Sequence, residues 1–451
     1  MSRRLLAPGW VATTALSRSL LVGLVALGAG VGLGEPSLVL VALPFGLHAA
    51  LALAARPRRT PSVTPRTGRG VVTEGESLRL HVAVDGGEDA EQITRVLTPS
   101  RYVAGSPHGG RLVAAYPGPD DAPAASALGV SPRRWGRHVL GSEQVALTSG
   151  WAGFRWGPES VRLTDVRALP VVPPFDSRAP MPRPDGLVGA HRSARAGSGT
   201  ELDGIRPFVA GDRLRRISWR VTARTGAVHV ATTRAELDAG VVLVVDVLAD
   251  VGASEGVGGA ESSLDRTVRA AAAMAAHAVR TGDRVSLRQV GGSVAPVPPG
   301  TGRRHLHRVL GALAEVAPVS SAATTGGSAG STRGRGAGLP VVPGSTVVVL
   351  SPLLHEGLVA AAAELARSGV PTVVVDTLPP DAAPDVADAD PALLDLAWRL
   401  RRLEREEVVR ALEAAGAPVV TWSGQGTVDA ALRALGRRAA LPVLRGSGGA
   451  R

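Results

Sequence analysis

Two residue types are missing from the chain, and each absence excludes a class of chemistry. The 451 residues include no cysteine, which excludes disulfides, zinc–thiolate sites, iron–sulfur clusters and thiol catalysis. They also include no lysine, which excludes a Walker A phosphate-binding loop and a Schiff-base mechanism. Aromatic residues make up only 3% of the chain. The cores must therefore be built from Ala, Val and Leu.

The composition is that of a globular protein with a basic balance. Hydrophobic residues account for 45% of the chain, beside 56 glycines and 34 prolines, and the net charge is +11. Every basic residue other than histidine is arginine, which is typical of a GC-rich genome. The arginines are scattered, so we interpret them as solvated surface and expect no nucleic-acid partner; binding of nucleic acid or anionic lipid is the alternative. The length allows two or three domains.

Two apolar runs near the start predict a transmembrane hairpin over residues 19–55, after a basic segment 1–18. The runs are Ser19–Gly34 and Ser37–Ala55, and neither contains a charged side chain. At 1.5 Å per residue they would span about 24 and 28 Å as helices, against a hydrocarbon core of about 30 Å. Glu35 and Pro36 separate them and mark the turn.

Arginines on both sides of the hairpin predict its orientation. They are Arg3, Arg4 and Arg18 before it and Arg56, Arg58 and Arg59 after it. The positive-inside rule keeps both flanks, and with them the bulk of the chain, on the cytoplasmic side of the plasma (inner) membrane. A cleaved signal peptide or a pair of buried core helices are the alternatives.

The next segment, residues 60–182, predicts a small β-sandwich-like domain. Apolar and polar residues alternate from Leu78 to Val84, and Asp85-Gly86 is typical of a hairpin turn. Another short alternating strand is expected at Val161–Val166. The aromatic residues Trp135, Trp151, Phe154 and Trp156 could stack on nucleic-acid bases, but we expect them to fill the core.

Strands and helices alternate over residues 236–440, which predicts an α/β domain with a doubly wound parallel sheet. The strands are expected at Gly240–Val247, Arg284–Val290, Ser345–Ser351, Val370–Asp376 and Pro418–Trp422. The helices are expected at Leu264–Arg280, Arg303–Val316, His355–Ser368, Pro391–Ala415 and Val428–Arg438. Residues 320–338 are rich in Gly, Ser and Ala and predict a flexible loop, and residues 441–451 predict a disordered tail. The basic run Arg399–Arg405 is interpreted as a solvated helix face.

A segment of mixed chemistry, within residues 197–235, joins the two domains. Gly211 suits a tight turn, and Asp212 suits a helix N-cap four residues before Arg216. From Ile217 to Thr222 apolar and polar residues alternate, which predicts a strand with Trp219 facing inward. Thr225-Gly226 predicts a turn into a further strand.

These residues resemble the signature of the domain of unknown function 58 family. The matching positions are Arg206, Gly211, Asp212, Arg216, Ile217, Trp219, Ala223 and Arg224, whereas Phe208 and Thr222 replace the usual Tyr and Ser. The resemblance implies two N-terminal membrane helices, a β-rich insert and a von Willebrand factor A-like α/β domain. It also implies a partner, a MoxR-type AAA ATPase.

A von Willebrand A-type domain binds Mg²⁺ through D-x-S-x-S and later Thr and Asp residues, and this pattern is degenerate here. Asp246 is present, Leu248 and Asp250 replace the two serines, and Ser351 stands where an Asp is expected. Asp250 and Thr301 could still supply oxygens. Because Mg²⁺ demands near-ideal octahedral geometry, we expect no metal and no cofactor, with Asp246 capping its strand end instead.

We therefore predict a membrane-anchored, non-enzymatic adaptor that binds proteins through its α/β domain. Arg206, Asp212, Arg216 and Arg224 are expected to form a buried or half-buried charge network around Trp219. The interaction residues of the signature are Arg206, Gly211, Asp212, Arg216, Trp219 and Arg224. An enzyme with its site at this signature is the alternative, although no nucleophile–base pair is visible there. The partner and the oligomeric state are not encoded in any motif.

Overall fold

The computed structural model describes most of the chain. The described residues are 9–66, 70–116, 127–172, 196–209, 214, 217–234, 240–317, 344–384, 390–424, 426, 427, 430 and 433. The predicted loop 320–338, the tail 441–451 and nearly all of the predicted last helix lie outside these ranges. The chain forms two compact units: one contains residues 1–171 with 254–260 and 313–315, and the other contains the remainder.

The first unit begins with two long apolar helices, α1 (Thr14–Leu33) and α2 (Pro36–Ala54). The Thr13 side chain accepts a hydrogen bond from the Leu16 amide and caps α1, and Gly34 ends α1 in the left-handed conformation. Helix α1 starts five residues before the predicted run, so its 20 residues measure about 30 Å. Both helices are long and apolar enough to cross a membrane, and most of their side chains are exposed, unlike those of a core helix.

The rest of this unit is the predicted β-rich domain. Its strands are β1 (Trp10–Ala12), β2 (Ser62–Arg66), β3 (Val71–Thr73), β4 (Leu78–Asp85), β5 (Ala90–Leu97), β6 (Val103–Ser106), β7 (Arg111–Ala115), β8 (Leu128–Pro132), β9 (Gly136–His138), β10 (Ser142–Ser149), β11 (Phe154–Arg162) and β12 (Val166–Leu169). They form a five-stranded sheet in the order β1-β11-β10-β5-β7, a four-stranded sheet β2-β4-β8-β6 and a three-stranded sheet β3-β12-β9.

The predicted alternation in β4 is confirmed, because Leu80, Val82 and Val84 point into the core. The chain bends at Gly86, where φ is 71°, but the hairpin prediction is wrong: β4 and β5 belong to different sheets. Turn residues fix the local backbone direction and do not decide which strand will be the hydrogen-bonding partner. The single strand expected at Val161–Val166 is also divided, between β11 and β12.

Three of the four aromatic residues fill the core as predicted. Trp135, Phe154 and Trp156 are all buried, whereas Trp151 is 53% exposed. Trp151 has a positive φ of 55° inside a short 3₁₀ turn, Gly150–Ala152, between β10 and β11. This backbone conformation turns its side chain away from the core that the neighbouring strand residues share.

A charged pair lies inside this domain. The side chains of Arg95 on β5 and Glu143 on β10 are both fully buried, and one guanidinium nitrogen lies 2.9 and 2.7 Å from the two carboxylate oxygens. Arg95 also donates to the Leu80 carbonyl at 2.9 Å. The pair joins neighbouring strands of the five-stranded sheet, and the bond to Leu80 of β4 connects it to the four-stranded sheet.

The second unit contains a hairpin and the α/β domain. The hairpin strands β13 (Ala196–Pro207) and β14 (His229–Arg234) are antiparallel and are linked through a seven-residue helix, α3 (Trp219–Thr225). The α/β elements are β15 (Gly240–Asp246), α4 (Ser263–Arg280), β16 (Arg284–Val290), β17 (Val297–Gly300), α5 (Arg303–Leu313), β18 (Thr346–Ser351), α6 (Glu356–Arg367), β19 (Thr372–Asp376), α7 (Pro391–Ala415) and β20 (Val419–Thr421).

The sheet order is β17-β16-β15-β18-β19-β20, with all neighbours parallel except β17, which is antiparallel to β16. Numbered along the chain this is 3-2-1-4-5-6, the order of doubly wound sheets. Helices α6 and α7 pack on the face that carries Val242 and Val244. Leu243 and Val245 on the opposite face are equally buried. Continuous Val and Leu runs suit such strands because both faces are covered.

Candidate functional site

The signature segment folds differently from the prediction at its centre. Ile217 makes a single β-bridge to Val230, and the next residues form helix α3 instead of a strand. Both patterns place Ile217 and Val221 on one side, but only a strand would place Trp219 with them. Because the segment is helical, Ile217 and Val221 are half-buried while Trp219 is exposed.

Local hydrogen bonds hold α3 against β14. The Ser218 amide donates to the His229 carbonyl at 2.9 Å, and the His229 amide donates to Thr222 Oγ1 at 3.1 Å. Gly226 ends the helix at φ 73°, in the left-handed region that glycine adopts without strain. The predicted turn at Thr225-Gly226 is therefore confirmed, as the C-cap of a helix.

Trp219 does not face inward as predicted, and the charge network expected around it includes residues that lie outside the described ranges. Trp219 is 69% exposed, and Arg224 is exposed near the end of the same helix. Arg206 is half-buried and donates to the Pro207 carbonyl at 3.1 Å. Gly211, Asp212 and Arg216 lie outside the described residues. The described surface thus presents an aromatic side chain and arginines to solvent.

The second candidate site is the edge of the parallel sheet at which its strands end. Doubly wound folds bind ligands at this edge, next to the two strands between which the strand order reverses. These two strands are β15 and β18. Here Ser351 Oγ donates to Asp246 Oδ2 at 2.6 Å, and the Leu248 amide donates to Asp246 Oδ1 at 3.0 Å. Ser351 Oγ in turn accepts from the Leu353 amide at 2.9 Å. The serine–aspartate bond bridges the two strand ends directly.

Burial raises the pKa of the Asp246 carboxyl, while the hydrogen bonds from Ser351 and Leu248 and the nearby His355 lower it in part. A serine bonded to a carboxylate can act as a nucleophile with its base. Asp246 and Ser351 are each only 1% exposed, so a substrate has no access to this pair as it stands.

Of the other two residues of the degenerate metal motif, Asp250 bonds to the start of a helix and Thr301 lies far from the Asp246–Ser351 pair. Asp250 Oδ1 accepts from the Leu264 amide at 3.1 Å, at the start of α4. Thr301 follows β17, whose Gly300 pairs with Val285, whereas Asp246 pairs with Val290 at the other end of β16. Five residues of strand, about 16 Å, separate these levels. Thr301 is thus at the opposite edge of the sheet, which corrects the expectation that it could supply an oxygen beside Asp246.

The donor set at this edge does not fit Mg²⁺. Both Asp246 oxygens already accept hydrogen bonds, and Ser351 stands in place of the expected second carboxylate. Within the described ranges, no group of three or more His, Asp or Glu side chains is arranged to hold a metal ion. A hard divalent cation with octahedral demands would have to displace these bonds.

A further carboxylate at the same edge, that of Asp376, is paired with an arginine from the run that the sequence analysis interprets as solvated. Asp376, at the end of β19, forms an ion pair with Arg405 of α7 and accepts from the Leu378 amide at 3.0 Å. Arg405 also donates to the Pro352 carbonyl at 2.9 Å, and Arg401 donates to the Leu354 carbonyl at 2.5 Å. The run Arg399–Arg405 is therefore only partly a solvated face. The signal available in the sequence was its spacing, because Arg401 and Arg405 are four residues apart.

Comparison with known proteins agrees with the signature. Residues 204–390 match the family model described as "Protein of unknown function DUF58". Uncharacterized proteins of Mycobacterium bovis and Mycobacterium tuberculosis are 29% identical over 261 residues, which covers 52% of this chain and 79% of each relative. The resemblance inferred from the residues around Trp219 is confirmed.

Proposed function

On the premise that residues 204–390 belong to the DUF58 family, we propose that this chain is a membrane-anchored, non-enzymatic adaptor. Helices α1 and α2 span the plasma membrane, and the folded units lie on its cytoplasmic side. The α/β domain is von Willebrand factor A-like and works by contact with a protein partner. The partner that the family resemblance implies is a MoxR-type AAA ATPase.

The topology of the first unit supports the membrane orientation. Strand β1 ends two residues before α1 begins, and β2 follows α2; both strands belong to the β-rich domain. The Trp10 indole donates to the Arg59 carbonyl at 3.0 Å, which ties the two ends together. Both ends of the hairpin therefore lie on one side, and their flanking arginines favour the cytoplasm.

The chemistry of the sheet edge supports a non-enzymatic role. In doubly wound folds this edge is the usual ligand site, but here its carboxylates serve the structure. Asp246 is bonded to Ser351, and Asp376 is paired with Arg405. The strand order of the sheet, with β17 as an antiparallel edge strand, is compatible with a von Willebrand A-like domain whose cation site has degenerated.

The observation that carries the proposal is the exposure of Trp219 within the family-matched segment. Leu214 is exposed as well, and Arg220 and Arg224 flank Trp219 on the same helix. Tryptophan and arginine are the residue types most enriched at the energetic centres of protein interfaces. An exposed tryptophan beside arginines therefore suits a surface that a protein partner covers.

The test is a binding measurement with the full chain in lipid nanodiscs and a purified MoxR-type AAA ATPase from the same organism, with and without ATP and Mg²⁺. Trp219→Ala is expected to weaken binding about tenfold or more, since truncating an interface centre costs at least about 1.4 kcal/mol. Leu403→Ala on α7 is the matched control, because Leu403 is also exposed and apolar but lies outside the signature. Equal affinity for the Trp219→Ala variant, or no binding in either nucleotide state, would refute the proposal.

A further inference from the structure

The loop between β10 and β11 is fixed against the membrane helices. The Thr13 amide donates to the Gly153 carbonyl at 3.0 Å, and Thr13 Oγ1 donates to the Ala152 carbonyl at 2.6 Å. On the other helix, His48 Nε2 lies 2.9 Å from the Trp151 carbonyl oxygen. These contacts tie residues 149–153, here called the anchor loop, to the start of α1 and the end of α2.

Close packing leaves little room for this loop to move away from α2. A Cβ atom placed on Gly153 would lie 2.7 Å from the Cβ of Ala52, so only glycine fits there. Phe154 donates its amide to Ser149 Oγ at 2.9 Å, which closes the base of the loop. The loop is thus held rigidly at a defined height along the helix pair.

That height lies inside the ends of the helices. His48 precedes Ala54, the last residue of α2, by six residues, which is about 9 Å along the helix axis. Arg18, the fifth residue of α1, is charged and favours a hydrocarbon boundary near its own level, so the start of α1 and the end of α2 lie among the headgroups. Gly23 of α1 lies beside Phe45 of α2, which puts His48 only about 3 Å deeper than Arg18. A loop that reaches the level of His48 therefore lies at the boundary between the headgroups and the hydrocarbon core.

The side chain at the tip of the loop suits this location. Trp151 is 53% exposed although the other aromatic residues of the domain's core strands are buried. Trp151 and Ala152 both have positive φ, of 55° and 51°, a conformation that is sterically unfavourable for residues other than glycine. Tryptophan concentrates at membrane–water interfaces because its ring is apolar while its N–H can bond to water or headgroups.

We propose that residues 149–153 form a membrane-interface anchor that places the Trp151 indole among the lipid headgroups of the leaflet facing the β-rich domain. The anchor fixes this domain at the membrane surface instead of leaving it on a free tether. The proposal rests on the membrane-spanning role proposed above for α1 and α2. Its ligand is the headgroup layer itself, not one particular lipid.

The absence of cysteine makes a direct test simple, because single cysteines can be introduced without background. Trp151→Cys and, with the tryptophan retained, Ala152→Cys are labelled with an environment-sensitive NBD fluorophore. The full chain is reconstituted in phosphatidylcholine–phosphatidylglycerol vesicles containing nitroxide lipids that quench at shallow or deep positions. Val139→Cys is the matched surface control: Val139 is 64% exposed and precedes β10, about 24 Å of strand from the loop. Val25→Cys, in the middle of α1, reports whether the hairpin spans the bilayer.

The anchor loop labels are expected to emit at shorter wavelength than the Val139 label and to be quenched several-fold more by the shallow nitroxide than by the deep one. The Val139 label should be quenched by neither. Deep quenching at Val25 combined with water-like, unquenched emission at both loop positions would overturn the anchor and leave the membrane span intact. An unquenched Val25 label would overturn both proposals.

Discussion

Each unit of this chain buries a carboxylate, and the two are stabilised in different ways. Glu143, in the β-rich domain, faces the guanidinium of Arg95 with both oxygens. Asp246, in the α/β domain, is held by a serine hydroxyl and a backbone amide. An opposite charge favours the ionised form, whereas burial with neutral donors leaves desolvation as the dominant influence and raises the pKa. The first carboxylate lies against a charged partner, whereas burial raises the pKa of the second.

The contrast indicates what each carboxylate does. A buried ion pair contributes little net stability but is costly to break, because removing one partner leaves the other charged and desolvated. A buried acid without a counter-charge costs less to replace by its amide. We therefore expect substitution effects to decrease from the Arg95–Glu143 pair to the Arg405–Asp376 pair and then to Asp246.

The largest effect is expected for Glu143→Gln, which replaces the carboxylate that faces the buried Arg95 guanidinium with a neutral amide. The β-rich domain should lose about 3–5 kcal/mol of unfolding free energy. Hydrogen exchange of β5 and β10 in the detergent-solubilised chain measures this loss. Glu159→Gln, on the exposed surface of β11, is the control and should change it by less than about 0.5 kcal/mol. Similar protection in both variants would mean that the pair is not buried in solution.

An intermediate effect is expected for Arg405→Met. This change removes the charged partner of Asp376 but keeps the hydrogen bond that the Leu378 amide donates to the Asp376 carboxylate. The loss should be about 1–3 kcal/mol, since one charge-assisted contact and the bond to the Pro352 carbonyl disappear. Exchange of amides in β19 and α7 reports it. Arg402→Met, on the exposed face of the same helix, should be nearly neutral. If the two variants behave alike, the whole basic run is a solvated face after all.

The smallest effect, and the only one that depends on pH, is expected for Asp246→Asn. Because burial raises the pKa of Asp246 above its unfolded value of about 3.9, the folded state binds more protons between these two pKa values. The natural chain should therefore lose stability relative to the variant as pH rises through this window. At acidic pH, where Asp246 is protonated, the Asp246→Asn variant should lose no more than about 1 kcal/mol of unfolding free energy relative to the natural chain.

Exchange of the β15 amides as a function of pH measures this difference. A difference that does not change with pH would contradict the assignment. So would calorimetric uptake of one Mg²⁺ per chain that Asp246→Asn abolishes, because the site would then work through metal coordination.

The α/β domain could be predicted almost element by element because its strands are continuous apolar runs and its helices are rich in alanine. The strand Arg284–Val290 and the helix Pro391–Ala415 match the structure at both ends. The edge strand Val297–Gly300 was missed, since Pro298 and Pro299 argue against a strand and are tolerated only at the edge of a sheet.

Tertiary partners account for what the sequence could not reveal. The pattern Ile217–Thr222 fits both a strand and a helix. The helix is stabilised by the hydrogen bond that Ser218 donates to His229 of β14 and the one that Thr222 accepts from it. The pairing of Arg95 with Glu143 joins positions 48 residues apart, and no local periodicity encodes it. Trp151 was assigned to the core by its residue type, but its positive φ points it outward.

The strand that precedes the first helix sets an order on the assembly of this chain. Residues 10–12 pair with residues 154–156, so the five-stranded sheet lacks its edge until the ribosome has added Trp156. Both apolar helices have been synthesised long before that point. The two apolar helices therefore come first in synthesis and closure of the sheet second, and a chain stalled before Trp156 would leave its N-terminal strand without its β-sheet partner.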